Sequence, residues 1–180
     1  MYYKTLNQHN YIYYASLGLI GILTFFVQAT ELLPAVFGVR PLPLYAFVVC
    51  VAVFSNVTAS FVFGLLAGVM MDMVSSVFDG FHVLALVVTA VVCNLLTEFL
   101  FNDRLVTTLV LCSGFTTLYY FIYWLCFIGT KGYPQAVLYL FRYSLLQIIY
   151  TVLFVFAFYY IIKYIRTVSS RSGEDRGFIK

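Results

Sequence analysis

The sequence predicts an all-α membrane protein, a bundle of six transmembrane helices. Of its 180 residues, 63% are hydrophobic and only 9% are charged, whereas a soluble domain carries about 25% charged residues. Several apolar runs are long enough to cross a bilayer. These runs are continuously apolar rather than alternating, which argues against a transmembrane β-barrel. The composition therefore indicates a polytopic protein in which the bundle leaves no room for a soluble catalytic domain.

Proline, asparagine and short polar loops separate the apolar runs. Pro34 ends the first helix, since proline cannot continue a helix, and Asn56 separates a short second run from the third. The loop from Asn102 to Arg104 is so short that the fourth and fifth helices should be antiparallel neighbours. The sequence thus predicts six helices, approximately at Tyr11–Leu33, Leu44–Ser55, Val57–Ser75, Phe81–Phe101, Leu105–Ile128 and Gln135–Tyr164.

The helices form one predicted domain, residues 1–165, and residues 166–180 form a polar tail. We expect the tail to be disordered, because it is charged and lies at a terminus. In the fifth helix, Tyr119, Tyr120, Tyr123 and Trp124 suggest an aromatic belt at the membrane surface.

The positive charges predict the orientation, because loops on the cytoplasmic side carry an excess of Lys and Arg. Six spans place both termini on one side of the membrane. If that side is the cytoplasm, seven basic residues lie inside and three outside. The inner ones are Lys4, Arg104, Lys163, Arg166, Arg171, Arg176 and Lys180, and the outer ones are Arg40, Lys131 and Arg142. We therefore expect both termini in the cytoplasm.

A stripe of small residues ending in an acid marks the third helix. Ser60, Gly64, Gly68 and Asp72 recur every four residues, so they share one face of the helix. Small residues in this pattern allow another membrane helix to approach closely. An acid at the end of the stripe should face protein or water rather than lipid. Asp72 is thus predicted to close the helix–turn–helix, or alternatively to contact a ligand or relay protons.

A polar turn follows the stripe. Ser75, Ser76, Asp79 and Gly80 supply turn chemistry, and His82 begins the next apolar run. We predict that Ser60, Gly64, Gly68, Asp72, Asp79, Gly80 and His82 serve helix packing or contact with a partner.

A second polar set is predicted at the outer ends of the helices. Glu31, Asp72 and Arg142 all fall there in the expected topology, and a cluster of these residues would neutralise Arg142. In the alternative interpretation, the Arg142 side chain reaches the membrane surface by itself. The sequence leaves these two interpretations open.

No catalytic, metal or cofactor motif is present in the sequence. It contains no H-E-x-x-H, G-x-S-x-G or phosphate-binding P-loop pattern, and its two histidines, His9 and His82, are far apart. The four cysteines lie in apolar runs and should pack as small hydrophobic residues. We therefore expect no enzymatic activity, no cofactor and no metal.

Two segments resemble the rod shape-determining protein MreD family. RPLPLYAFVVCVAVF, from Arg40 to Phe54, is similar to the proline-containing entry of that family's second helix. FVFGLLAGVMMDMVSSVFDGFHVLALVV, from Phe61 to Val88, is similar to its glycine-containing helix, acid, polar turn and next helix. Most of the resemblance is carried by Gly64, Leu65, Gly68, Asp72, Gly80 and His82. Val69, Met70 and Met71 depart from the leucines that are frequent in the family, and residues after Phe101 match only in hydropathy.

The resemblance implies a non-enzymatic scaffold of the bacterial cell-elongation complex in the cytoplasmic membrane. Its expected partners are a single-span MreC-like protein, through it the MreB filament and peptidoglycan synthases, membrane lipid, and a second copy of the chain, but no nucleic acid. The family's fold is similar to the substrate-binding S components of energy-coupling-factor transporters. The chain could instead be such a vitamin-binding component. A small membrane enzyme of lipid metabolism is disfavoured, because few polar residues converge.

Overall fold

The computed structural model of the chain describes residues 2–30, 32–35, 39–75, 80–100, 105–127 and 145–174. Within these ranges the regular secondary structure is helical, which confirms the predicted all-α class. The helices are α1 (Tyr2–Ala29), α2 (Pro43–Phe54), α3 (Val57–Val74), α4 (Phe81–Leu100), α5 (Leu105–Phe127) and α6 (Leu145–Glu174).

Four of these helices, α3 to α6, are long and apolar enough to cross a membrane. The apolar part of α1, Tyr13–Ala29, is shorter, and α2 has only 12 residues. At a rise of about 1.5 Å per residue, α2 is roughly 18 Å long, well short of the roughly 30 Å hydrocarbon core. The helices thus fit a multi-pass membrane protein, and crossing by α1 and α2 stays a prediction.

The short helix α2 lies at the centre of the bundle. All 12 of its residues are buried, and it contacts each of the other five helices. A helix that is hydrophobic all round is expected to be buried on every side. Its one hydroxyl-bearing side chain, Tyr45, is paired. The Tyr45 hydroxyl lies 2.8 Å from Thr89 Oγ1 of α4 and donates to the Phe115 carbonyl of α5 at 3.1 Å.

Side chains of neighbouring helices bind the N-terminal backbone of α2. The N–H of Leu44 donates to Gln28 Oε1 of α1 at 3.1 Å, and the N–H of Leu42 donates to Thr151 Oγ1 of α6 at 3.2 Å. The first N–H groups of a helix have no acceptors within the helix. A buried helix end must therefore find acceptors elsewhere, and α1 and α6 supply them.

Asn94 of α4 binds the C-terminal end of α2. Its Nδ2 donates to the carbonyl of Ala52 at 2.8 Å and to that of Ser55 at 2.5 Å. The last carbonyls of a helix also lack partners within the helix. The central helix is thus held at one end by α1 and α6 and at the other by α4.

The ends of α1 and α6 differ from the expected boundaries. The first helix begins at Tyr2 rather than Tyr11 and ends at Ala29 rather than Leu33. Leu33 is non-helical, since a residue that precedes proline disfavours helical backbone. The last helix continues past Tyr164 to Glu174, so residues 166–174 of the expected disordered tail are helical. There Thr167 Oγ1 donates to the Lys163 carbonyl at 2.9 Å, within the helix.

Candidate functional site

The glycine stripe of α3 faces α4 of the same chain. A methyl group at Gly68 would lie 2.5 Å from Val83 Cα and 3.0 Å from Val83 N. One at Gly64 would lie 2.9 Å from Ala90 Cβ and 3.1 Å from the Leu86 carbonyl oxygen. The shortest distance at each glycine, 2.5 Å at Gly68 and 2.9 Å at Gly64, is too short for a real side chain, so glycine is needed for this approach. The structure thus uses the two glycines for packing within the bundle.

Ser60 lies at the other end of the stripe and is buried. Its hydroxyl donates to the Asn56 carbonyl in the preceding turn of α3 at 3.0 Å. The hydroxyl of this small residue is thus hydrogen-bonded within its own helix.

Asp72 binds the N-terminus of α4 with both carboxylate oxygens. Oδ2 accepts hydrogen bonds from the N–H groups of Gly80 at 3.0 Å and Val83 at 3.2 Å, and Oδ1 accepts one from His82 N–H at 3.1 Å. We call Asp72, Gly80, His82 and Val83 the Asp72 junction. The carboxylate occupies the place of a capping side chain and is favoured by the partial positive charge at a helix N-terminus.

Gly80 gives the chain the conformation that the Asp72 junction requires. Its φ is +96°, a region that side chains other than glycine rarely adopt. The Gly80 carbonyl also accepts the first backbone bond of α4, from Leu84 N–H at 3.1 Å. One glycine therefore both turns the chain and aims its own N–H at Asp72.

The His82 side chain extends the junction to α5. It is buried, and its Nδ1 lies 3.4 Å from the Tyr119 hydroxyl. The Tyr119 ring centroid lies 5.3 Å from that of Tyr45 in α2 and 5.8 Å from that of Phe81. The start of α4 is thus joined to α3 by hydrogen bonds and to Tyr119 of α5 by aromatic contacts, and Tyr119 in turn contacts Tyr45 of α2.

Tyr119 and Tyr120 are buried, so their predicted place in a membrane-surface belt is wrong. Ring contacts hold Tyr119 in the core, including a T-shaped contact with Tyr120 at 5.1 Å. The sequence reasoning also missed Tyr45, Gln28 and Thr151 as partners of buried polar groups. The sequence feature that could have indicated such a partner is Tyr45, the one tyrosine in an apolar helix, because a buried hydroxyl needs a hydrogen-bond partner.

Four predicted site residues lie outside the described residues: Glu31, Ser76, Asp79 and Arg142. The cluster of Glu31, Asp72 and Arg142 therefore stays a prediction. A carboxylate offers about four acceptor positions, and three N–H groups already donate hydrogen bonds to the Asp72 carboxylate. Room is left for one further donor at this carboxylate.

The cysteines add no ligand cluster in the described part of the chain. Cys50, Cys93 and Cys112 are buried and Cys126 is exposed, all as free thiols. The described residues contain no group of three or more His, Cys, Asp or Glu side chains arranged to hold a metal ion.

The contacts of the Asp72 junction suit it to a structural role, which is to hold α3 and α4 in a fixed arrangement. Its carboxylate is engaged by backbone groups, and the neighbouring Gly64 and Gly68 allow the close approach of α3 and α4. The junction fixes the first turn of α4 against the end of α3. Comparison of the chain with models of known protein families, with curated proteins and with solved structures gave no match.

Proposed function

We propose that the chain is a non-enzymatic, multi-pass scaffold of the bacterial cell-elongation complex, of the MreD type. In this proposal it crosses the cytoplasmic membrane six times with both termini inside. It binds an MreC-like single-span protein, and through it acts with the MreB filament and the cell-wall synthases. The protein would work by holding its partner in place rather than by turnover.

One observation carries the proposal. Six residues carry most of the resemblance to MreD, and five of them, Gly64, Gly68, Asp72, Gly80 and His82, lie at one interface between α3 and α4. The sixth, Leu65, is exposed. The sequences of apolar helices often resemble one another by chance. A chance similarity in hydropathy alone would not be expected to involve polar and small residues that contact one another. The resemblance thus corresponds to a definite structural feature.

The same feature suits recognition within a bilayer. Helix association in lipid gains little from the hydrophobic effect, so specificity depends on shape and a few polar groups. A partner that meets a rigid hairpin loses less conformational freedom on binding. The junction fixes the start of α4 against the end of α3, and the polar turn of the sequence joins these two ends. We place the partner contact at this turn, where the expected topology exposes it to the cell exterior.

Copurification from mild detergent tests the proposal. The tagged chain, expressed in its rod-shaped host at native level, should bring down an MreC-like protein, and its depletion should give rounded cells. An Asp72→Ala variant should retain less of the partner than Met73→Ala, a matched control because the Met73 side chain is 80% exposed. Recovery of a vitamin and ATPase subunits, without an MreC-like protein, would contradict the proposal and favour a transporter S component.

A further inference from the structure

Small polar side chains form a buried row on α4 and another on α5. In each helix, threonine and cysteine recur every four residues, so each row lies on one face of its helix. Their side chains are at most 6% exposed. Apolar residues of similar size would avoid the cost of burying polar groups, so packing alone does not explain the rows. We call the two rows and Tyr45 of α2 the polar seam: Tyr45, Thr89, Cys93, Thr97, Thr108, Cys112 and Thr116.

Tyr45 connects the two rows in the middle of the bundle. Its hydroxyl lies 2.8 Å from Thr89 Oγ1 of α4, and the thiols of Cys93 and Cys112 are close enough to act on it electrostatically. On α5, Cys112 Sγ lies 3.7 Å from Thr116 Oγ1. A hydroxyl both donates and accepts hydrogen bonds, so such a row can pass a proton from one group to the next.

An acid, an imidazole and a phenol continue the seam to the Asp72 junction. His82 Nδ1 lies 3.4 Å from the Tyr119 hydroxyl, and the Tyr119 ring centroid lies 5.3 Å from that of Tyr45. The Asp72 carboxylate is only partly buried and acts electrostatically on both His82 and Tyr119. Imidazole is the side chain that most readily exchanges a proton near neutral pH. An ionisable side chain buried in a membrane helix is a candidate for proton transfer.

The other end of the seam opens into a cleft of about 490 Å³. Thr97 lines this cleft together with Asn94 and Glu98, and the Glu98 side chain is exposed. Over the 15 residues from His82 to Thr97, α4 rises about 22 Å at about 1.5 Å per residue. The hydrocarbon core of a bilayer is roughly 30 Å thick. The seam therefore extends through most of that thickness, with one carboxylate near each end.

We propose that the polar seam is a proton relay between the carboxylates of Asp72 and Glu98. A proton that binds to Asp72 passes to the His82 imidazole, then through the hydroxyls of Tyr119 and Tyr45 and along the seam to Glu98, which releases it to water. Each hydroxyl accepts one proton as it gives up its own, so rotation of the hydroxyls restores the starting state. The transmembrane proton gradient drives the transfer. This activity is independent of the proposed scaffold role.

Proton entry into liposomes that contain the purified full chain tests the proposal. Vesicles loaded with potassium and treated with valinomycin develop an inside-negative potential, and an enclosed pH-sensitive dye reports proton entry. We expect the wild type to acidify the interior faster than protein-free vesicles do. Tyr45→Phe should lose most of this flux, because it removes the hydroxyl in the middle of the seam. Glu98→Gln should also lose most of it, because the amide cannot take up the proton.

Two matched pairs of variants separate the relay from packing. Thr116→Val and Thr117→Val change neighbouring threonines of α5, but Thr116 is fully buried in the seam. Thr117 is exposed and donates to the Ser113 carbonyl of its own helix at 2.7 Å. Tyr45→Phe and Tyr164→Phe form the second pair, because the Tyr164 side chain is 71% exposed. Only the variant within the seam should lose flux in each pair.

Two results would overturn the proposal. The first is proton entry with the wild type that is no faster than in protein-free vesicles. The second is wild-type flux in Tyr45→Phe, Thr116→Val and Glu98→Gln, which would leave the seam with a packing role alone. Flux is compared per folded copy, after thermal unfolding of each variant. Because Glu98 is exposed, Glu98→Gln keeps the test decisive even if a buried substitution prevents folding. Loss of an MreC-like partner would not alter the flux, so the two proposals fail separately.

Discussion

The Asp72 carboxylate of α3 accepts a hydrogen bond from the backbone N–H of His82 at 3.1 Å, in the first turn of α4. An acidic side chain from one membrane helix thereby caps the next helix in the chain. The sequence distance is only ten residues, so the bond closes a hairpin rather than joining distant parts of the fold.

Replacing Asp72 with Asn should destabilise the bundle. The amide keeps one acceptor oxygen but points an N–H donor at the N-terminus of α4, so at least one bond to a charged acceptor is lost. Such a bond is worth about 1.5–3 kcal/mol. Thermal unfolding in detergent should show a lower midpoint than the wild type. Met73→Ala, at the neighbouring exposed position, should leave the midpoint unchanged, and equal midpoints for both variants would contradict the role of Asp72.

Replacing Gly68 with Ala should separate α3 from α4. The added methyl group would meet backbone atoms of Val83 at 2.5 Å and 3.0 Å, and backbone cannot move aside as a flexible side chain can. Overpacking of this kind costs about 1–3 kcal/mol, and Gly68→Leu should cost more. Gly114→Ala is the matched control, because nothing lies within 4 Å of a methyl group there. Similar unfolding midpoints for the two alanine variants would show that the close approach is not required.

Gly80→Ala should be destabilising for a different reason. Nothing lies within 4 Å of a methyl group at this position, so the cost comes from the backbone alone. A residue with a side chain at positive φ loses about 1–2 kcal/mol. Gly18→Ala, in a helix and also without close neighbours, isolates the effect of φ. A Gly80→Ala midpoint at or above that of Gly18→Ala would contradict this explanation.

Asn94→Asp should release the C-terminal end of the central helix. The carboxylate has no N–H to donate, so the carbonyls of Ala52 and Ser55 would face a negative charge instead of a donor. We expect a loss of at least about 1–3 kcal/mol. Val88→Ala, on the exposed face of the same helix, serves as the control. Hydrogen exchange should then increase selectively at the α2–α3 connection, and unchanged exchange there would contradict the capping role.

Accessibility labelling tests the predicted orientation. With Cys50, Cys93, Cys112 and Cys126 replaced by Ala, a cysteine probe at position 79 should react with a membrane-impermeant reagent from outside. A probe at position 179 should react only after the membrane is opened. Labelling of position 79 from the cytoplasmic side alone would overturn the six-span topology with both termini inside.

Much of the helical framework was predictable from the sequence, because long apolar runs and helix-breaking residues are local signals. The glycine stripe was predictable too, since the four-residue spacing of Gly64 and Gly68 puts them on one helix face. What the pattern left open was the neighbour they face, and the structure places α4 there. The acid at position 72 indicated closure of a helix–turn–helix or a ligand contact, and the geometry shows the closure.

The partners of buried polar groups were not predictable, because they depend on how helices meet. Tyr119 stands among aromatic residues, which resembles a surface belt, yet it packs against Tyr45 and His82 in the core. Thr151 and Leu42 are 109 residues apart in the chain and are joined by one hydrogen bond. No local pattern encodes such a pairing, since each residue type has many acceptable partners.

We expect the Asp72 junction to serve partner binding beyond its effect on stability, and two variants of similar stability test this role most directly. Asp72→Asn and Asn94→Asp each weaken one buried end of a helix, but only the first lies at the turn where the partner is placed. The measurement is the MreC-like protein copurified per folded copy of each variant, at a temperature where both are folded. We predict that Asp72→Asn loses most of the partner while Asn94→Asp retains it. Equal retention by the two variants would contradict the claim and leave the junction with a purely structural role.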